Sequence, residues 1–236
     1  MAEQDQIEAL IDEALNRQIE SGHHALWDCL ALVGLTAVNQ GHNGAYLYKL
    51  ALEKTPAESR HLLWRRYIDA LSEMLIIVGM PKTLNALYAM MPLVEKGDLA
   101  FVKRSDWEAD NSARGWEYAR LTHGDGWLES FKAASVYAPD VAHIAMDVSM
   151  QNLLSDYSVH DGQATMALLV TVLIAMNCPV QATWHAKGFI RHGGDKESLV
   201  HIAEFAKKIA YATGNNLPAN YPTVEVMLEE TSMTDS

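Results

Sequence analysis

The chain has 236 residues, with 18 Lys and Arg against 30 Asp and Glu, 49% hydrophobic residues and two cysteines. That length is ample for a real core, burying roughly 70% of the surface the unfolded chain exposes. A formal net charge of −12 repels phosphate backbones and anionic membranes, which excludes nucleic acid and membrane surfaces as partners.

Two cysteines cannot form a disulfide framework, and no Cys29–Cys178 bridge is expected. The N-terminus, MAEQDQIEALIDEALNRQ, is acidic and amphipathic, unlike a signal or transit peptide. The longest apolar run, Met166 to Met176, is interrupted by Thr171 and falls short of the roughly 20 residues that cross a bilayer. The expectation is a soluble cytoplasmic protein.

Nearly every segment carries helical period, and alternating strand-like runs are scarce. Residues 5–20 place Ile7, Leu10, Ile11, Ala14 and Leu15 on one face of a first helix. A second covers about 24–39, broken by Gln40-Gly41-His42-Asn43-Gly44, and a third runs to about Lys54. Thr55-Pro56-Ala57-Glu58 reads as an N-cap, a proline at the first helical position and a capping-box Glu. The helix it opens should run to Val78, stop at Gly79, and bury Leu63, Tyr67, Leu71, Met74, Leu75 and Val78. Pro81 starts a shorter helix that ends by Pro92. Residues 95–127, with Trp107, Trp116 and Trp127, read as short helices and loops capping a core. Pro139 opens a helix to about Ser155, and Gln163 to Met176 forms the most apolar helix, buried on all sides. A further helix starts at Cys178-Pro179 and ends near Gly193-Gly194. Asp195 caps the last long one, which stops at Gly214. The expected organisation is all-α: an N-terminal helical extension over 1–54, a main helical domain over 55–214 and a flexible acidic tail over 215–236.

The chemically informative stretch is Cys178-Pro179-Val180-Gln181-Ala182-Thr183-Trp184-His185. Spacings of three and four put Cys178, Gln181 and His185 on one helical face, with Gly188 and His192 following. Pro179 leaves Cys178 at the positive end of the helix dipole, where a thiolate is favoured. Each residue also has a plainer reading: a packed histidine, a small buried hydrophobe, an ordinary amide.

The pattern Cys178-x-x-Gln181-x-x-x-His185-x-x-Gly188, followed by Gly193-Gly194-Asp195-Lys196-Glu197, resembles the carboxymuconolactone decarboxylase and alkylhydroperoxidase D-like superfamily. Val78-Gly79-Met80-Pro81 with Asn85-Ala86-Leu87 is similar to another segment of that family. The resemblance spans roughly residues 56–92 and 137–214, in the manner of fungal-type members with two divergent halves, and implies an alkylhydroperoxidase D-like helical bundle. It departs where redox members carry a second cysteine, here Gln181, and a glutamate twelve residues before the first, here Met166. Without those groups a Cys-x-x-Cys peroxidase cycle is not expected.

What the resemblance implies is a cofactor-independent acid/base enzyme, decarboxylating, isomerising or cyclising a small organic acid, lactone or polyketide-like metabolite. His185 is its expected acid/base, with Cys178 and Gln181 polarising the pocket, no metal and no redox cofactor. A thiol-dependent peroxidase using Cys178 alone and a non-catalytic oligomeric binding protein are the alternatives. The family also implies a homo-oligomer, a dimer, trimer or hexamer, with which the 11 methionines are consistent.

Elsewhere, Arg65, Arg66, Asp69 and Glu73 share a helix and read first as a solvated ion-pair face. If that face lines the cleft, Glu73 or Arg66 orients a carboxylate substrate, with Tyr67 and Trp184 as further lining. His143 and Asp147, four apart, read as an exposed pair rather than metal ligands, and His123-Gly124-Asp125-Gly126 as a turn. No phosphate loop, nucleophile elbow or cysteine-pair zinc spacing is present.

Overall fold

The computed structural model describes residues 3–21, 26–99 and 109–229, and among these it is helical with no strand. The all-α expectation holds. Trp107, within the segment expected over 95–127, lies outside the described residues.

The architecture follows from two helices too apolar to face water anywhere. In α9, Gly162–Ala175, twelve residues are buried; in α2, Trp27–Ala37, every residue from Asp28 onward is buried. These two pack together, and the amphipathic helices close over them. α1, Glu3–Ser21, lays Ile7, Leu10, Ile11, Ala14 and Leu15 on α2 and on α11, Lys196–Ala212. α3, Gly44–Lys54, joins the same side through Leu47 and Tyr48. Residues of α1 to α3 share one hydrophobic cluster with α4, α9 and α11.

α4, Arg60–Val78, ends at Gly79, whose φ of 94° is the left-handed region that glycine tolerates. α5, Met80–Met90, follows directly. The capping box expected at Thr55 does not form. The Thr55 hydroxyl instead donates back to the Ala51 carbonyl at 2.7 Å, and α4 begins only after a 3-10 turn over Ala57–Ser59. A threonine hydroxyl can satisfy either the preceding carbonyl or the following amide, and here the preceding helix takes it. Leu75, expected in the core, is only half-buried.

α6, Ser112–His123, and α7, Trp127–Tyr137, flank the other end of the bundle. The helix expected from Pro139 to Ser155 changes form: α8 covers Pro139–His143, and Ile144–Leu154 is a π-helix. Ser155 N–H bonds to the Met150 carbonyl five residues back, and the Asn152 amide reaches the Asp147 carbonyl. The wide turns press against α6, where a Cβ on Gly115 would stand 2.8 Å from the Gln151 Cα. π-helical turns frequently accompany functional sites.

Between α9 and α10, Pro179–Arg191, the turn passes through Asn177 at φ 58°. Asp195 caps α11 as expected, accepting from Ser198 N–H. The stretch expected as a flexible tail is built in as far as it is described. Leu217, Tyr221, Val224 and Met227 are buried, and α12, Val224–Glu229, packs on α10 and α11. Spacings of four, three and three bring those four side chains to one side, a pattern that Pro218 and Pro222 disguise in the sequence.

Candidate functional site

Two groups of polar side chains are enclosed by this bundle. The first surrounds His185 in α10. Cys178 is the residue before that helix and is half-buried, its thiol 3.7 Å from the Met176 carbonyl, while Gln181 is exposed. No hydrogen bond, ion pair or ring contact among the described residues joins either to His185. The three side chains look into different surroundings.

His185 instead meets His123, the last residue of α6. The ring centroids are 5.5 Å apart, edge to face at 68°. His123 stacks on Trp127 at 4.8 Å and 19°, and Trp184 approaches it edge-on at 6.4 Å. The sequence around His123 reads as a bare turn. Gly124, at φ 85°, does end α6, and the helix leaves the His123 ring among those of Trp127, Trp184 and His185. Two turns beyond His185, His192 Nε2 lies 3.0 Å from the Thr122 hydroxyl, and Arg191 donates to the Thr122 carbonyl at 2.7 Å. Gly188 makes this meeting possible, since a Cβ there would sit 2.9 Å from the Met166 sulfur and 3.2 Å from the Thr122 carbonyl oxygen.

Both imidazoles are kept neutral. His185 is pushed down to about 4 by burial and then by His192. His123 is pushed down to about 3 by burial, His185 and Arg191. Both residues are half-buried taken whole, but their polar atoms are enclosed: Nδ1 of His185 and both ring nitrogens of His123 are buried with no hydrogen-bond partner. Burial disfavours the charged imidazolium.

Trp127 also lines an open surface groove of about 520 Å³ between α6 and α7. Trp116 and Leu128 supply apolar wall, and Arg120 and Lys132 supply cations. Arg120 pairs with Glu117 at 2.7 Å and Asp125 at 3.4 Å, all three well exposed. Groove, indole and imidazole pair thus lie in sequence from solvent inward.

The second group corrects the reading of α4 as a solvated ion-pair face. Asp69 and Glu73 are both 0% exposed. Arg66 forms a close ion pair with the buried Asp28 of α2, whose carboxylate also accepts from Tyr67 Oη at 3.3 Å and from the Cys29 N–H at 2.8 Å. His160, 3% exposed, comes from the segment preceding α9 and places Nδ1 3.2 Å from Asp69 Oδ2 and 3.7 Å from Glu73 Oε2. Thr165 Oγ1 donates to Glu73 Oε1 at 3.4 Å. Burial opposes charge on His160, yet Asp69, Cys29 and Glu73 beside it outweigh that and hold its pKa well above the ordinary value. Burial, then Asp28, raises the Cys29 thiol, which leaves it a poor nucleophile.

Of the residues expected to touch substrate, the structure brings Arg66, Tyr67 and Glu73 together here and leaves Trp184 with the histidine pair. Tyr118 lies between the groups: its ring is 5.5 Å from that of His192, and its hydroxyl is pushed well up by burial and then by Glu73. His143 and Asp147 form the exposed pair expected of them, at 2.5 Å. His123, Asp28, Cys29 and His160 are the residues the sequence reading missed. An acid and a thiol inside the otherwise apolar α2, and a histidine next to the Asp161 cap of the most apolar helix, were the available signals.

No helix among the described residues is long and apolar enough to cross a membrane. No family model matches the chain, and no solved structure matches it. Peroxisomal protein 2 of Schizosaccharomyces pombe is 23% identical over 200 residues, which cover 83% of this chain and 90% of that protein.

Proposed function

We propose that this chain is an acid/base enzyme acting on a small organic acid, lactone or polyketide-like metabolite, with His185 as the proton-transfer residue and His123 beside it. The observation that carries this reading is the enclosed pair of neutral imidazoles, with three ring nitrogens unpartnered, behind the indole that lines the groove. Satisfied core histidines use their nitrogens structurally; these are held neutral with no hydrogen-bond partner. A carboxylate arriving beside Trp127 favours the imidazolium, so substrate itself raises the basicity of the pair. The acid/base strength is then developed when substrate is bound. The proton transfer needs no redox cofactor, and the motif resemblance around Cys178, His185 and Gly188 to the carboxymuconolactone decarboxylase-like proteins supports the same chemistry.

Decarboxylation, isomerisation and cyclisation all move a proton at carbon. Incubating a panel of small keto acids and lactones with the protein in D2O and following deuterium incorporation by NMR therefore tests the reading without choosing among them. Incorporation should be catalysed for at least one compound and fall by about two to four orders of magnitude in His185→Gln. Incorporation equal in the two proteins would remove His185 from the chemistry.

Self-association belongs to the same reading. Val136 and Tyr137, 80% and 91% exposed at the end of α7, adjoin the exposed Val141 and Ile144, an apolar edge suited to a second copy. The relative's name supports a peroxisomal setting rather than the expected cytoplasmic one.

A further inference from the structure

Asp69 and Glu73 are one helical turn apart on α4, so their side chains project from the same face. The segment 155–161 returns from the π-helix toward α9 and sets His160 against them. One donor atom from each of the three lies within 4.8 Å of the others, and all three residues are buried. The histidine nitrogens complete no hydrogen bond, although Nδ1 stands 3.2 Å from one carboxylate oxygen and 3.7 Å from another. Those separations have a meaning in coordination chemistry. Ligands about 2.0–2.2 Å from a tetrahedral metal are about 3.3–3.6 Å from each other. The two separations from His160 Nδ1, 3.2 and 3.7 Å, are close to that arrangement, and the donors all lie within 4.8 Å of one another.

The charge argument agrees. Two carboxylates withdrawn from water are costly unless their charge is compensated. One imidazolium neutralises one of them, whereas a dication bound by a neutral imidazole neutralises both. We propose that Asp69, Glu73 and His160 form a binding site for a divalent first-row cation, the imidazole supplying nitrogen and the carboxylates oxygen. One nitrogen and two oxygens suit the Mn2+ to Zn2+ series, and no thiolate is in the set to demand a softer ion. Such an ion ties α4 to the entry of α9, a helix with twelve buried residues. This site is separate from the His123–His185 pair, and it stands whether or not that pair is catalytic.

Because the donors are enclosed, loading is coupled to folding. The test is therefore to unfold the protein, refold it with Zn2+, Mn2+ or Co2+, dialyse exhaustively, and count metal by elemental analysis. One equivalent should be retained, Co2+ should give visible ligand-field absorption, and the melting temperature should rise over the metal-free form. His160→Gln and the double variant Asp69→Asn with Glu73→Gln should lose all three signals. His143→Gln, in the exposed pair on α8, should keep them. A wild-type protein that folds but retains under about a tenth of an equivalent of every ion overturns the proposal, and this measurement needs no core variant to fold. Retention undiminished in folded His160→Gln, or abolished in His143→Gln, overturns it equally.

Discussion

If the His123–His185 pair is held neutral by enclosure, acid should destabilise the protein through it, and the size of the effect can be worked out. Unfolded, His185 takes a proton near 6.5; folded, it does so near about 4. The folded pKa is the lower one, so the unfolded chain binds more protons as pH falls below about 6.5. Stability is therefore lost over the window from about 6.5 down to about 4, and no further for this group below that. Between about pH 7.5 and pH 5 the loss is about 2 kcal/mol at full desolvation, and about 1 kcal/mol when discounted for the part of the residue that reaches solvent. His160 has the opposite shift and the opposite sign, its contribution being fully present below about 6.5 and lost as pH rises through its raised folded value. Comparison with His185→Gln cancels that term, because His160 is common to both proteins. Urea unfolding followed by far-ultraviolet circular dichroism at the two pH values gives the four free energies required. The wild type should lose about 1–2 kcal/mol more than the variant over this interval. Equal losses, at matching denaturant slopes, would refute the claim that the folded structure resists protonating His185.

Three further outcomes follow from the packing. Arg66→Met leaves Asp28 charged and without its guanidinium in the core, and should cost about 3–5 kcal/mol, with Asp28→Asn on the same background recovering part of it; urea titrations of the three proteins measure this. Gly188→Ala drives a methyl against Met166 and the Thr122 backbone, and should destabilise by about 1–3 kcal/mol in the same assay while lowering any activity that depends on His185. Removing residues 215–236 strips Leu217, Tyr221, Val224 and Met227 from the core, so the melting temperature should fall by several degrees or more; an unchanged value would mean that the segment contributes no packing.

Much of the frame was legible because helical period is a local signal. The apolar stripe of α1, the stop of α4 at Gly79, the buried α9 and the Asp195 cap all depend on neighbours within a turn or two. The burial of Leu217, Tyr221, Val224 and Met227 is not legible for a related reason. These four residues are spaced across two prolines, and only docking on α10 and α11 gives them a common side. The candidate sites were less legible because they are assembled from distant parts of the chain. His185 was found from its own helix, but His123 comes from α6, more than sixty positions earlier, and proximity across such a separation leaves no period to read. The charged residues of α4 were seen and given the wrong side. Spacings of three and four are the same for a solvated face and a buried one, and the partners that settle it, Asp28 and His160, belong to other elements.

His123 and His185 are held as an enclosed, neutral imidazole pair that resists protonation until a substrate anion is bound. Imidazole nitrogen NMR on histidine-labelled protein, titrated from about pH 8 to pH 4.5 with assignments from His123→Gln and His185→Gln, tests this most directly. Both residues should remain neutral down to about pH 5, well below the ordinary value near 6.5. Two imidazoles that titrate together near 6.5 would contradict the account.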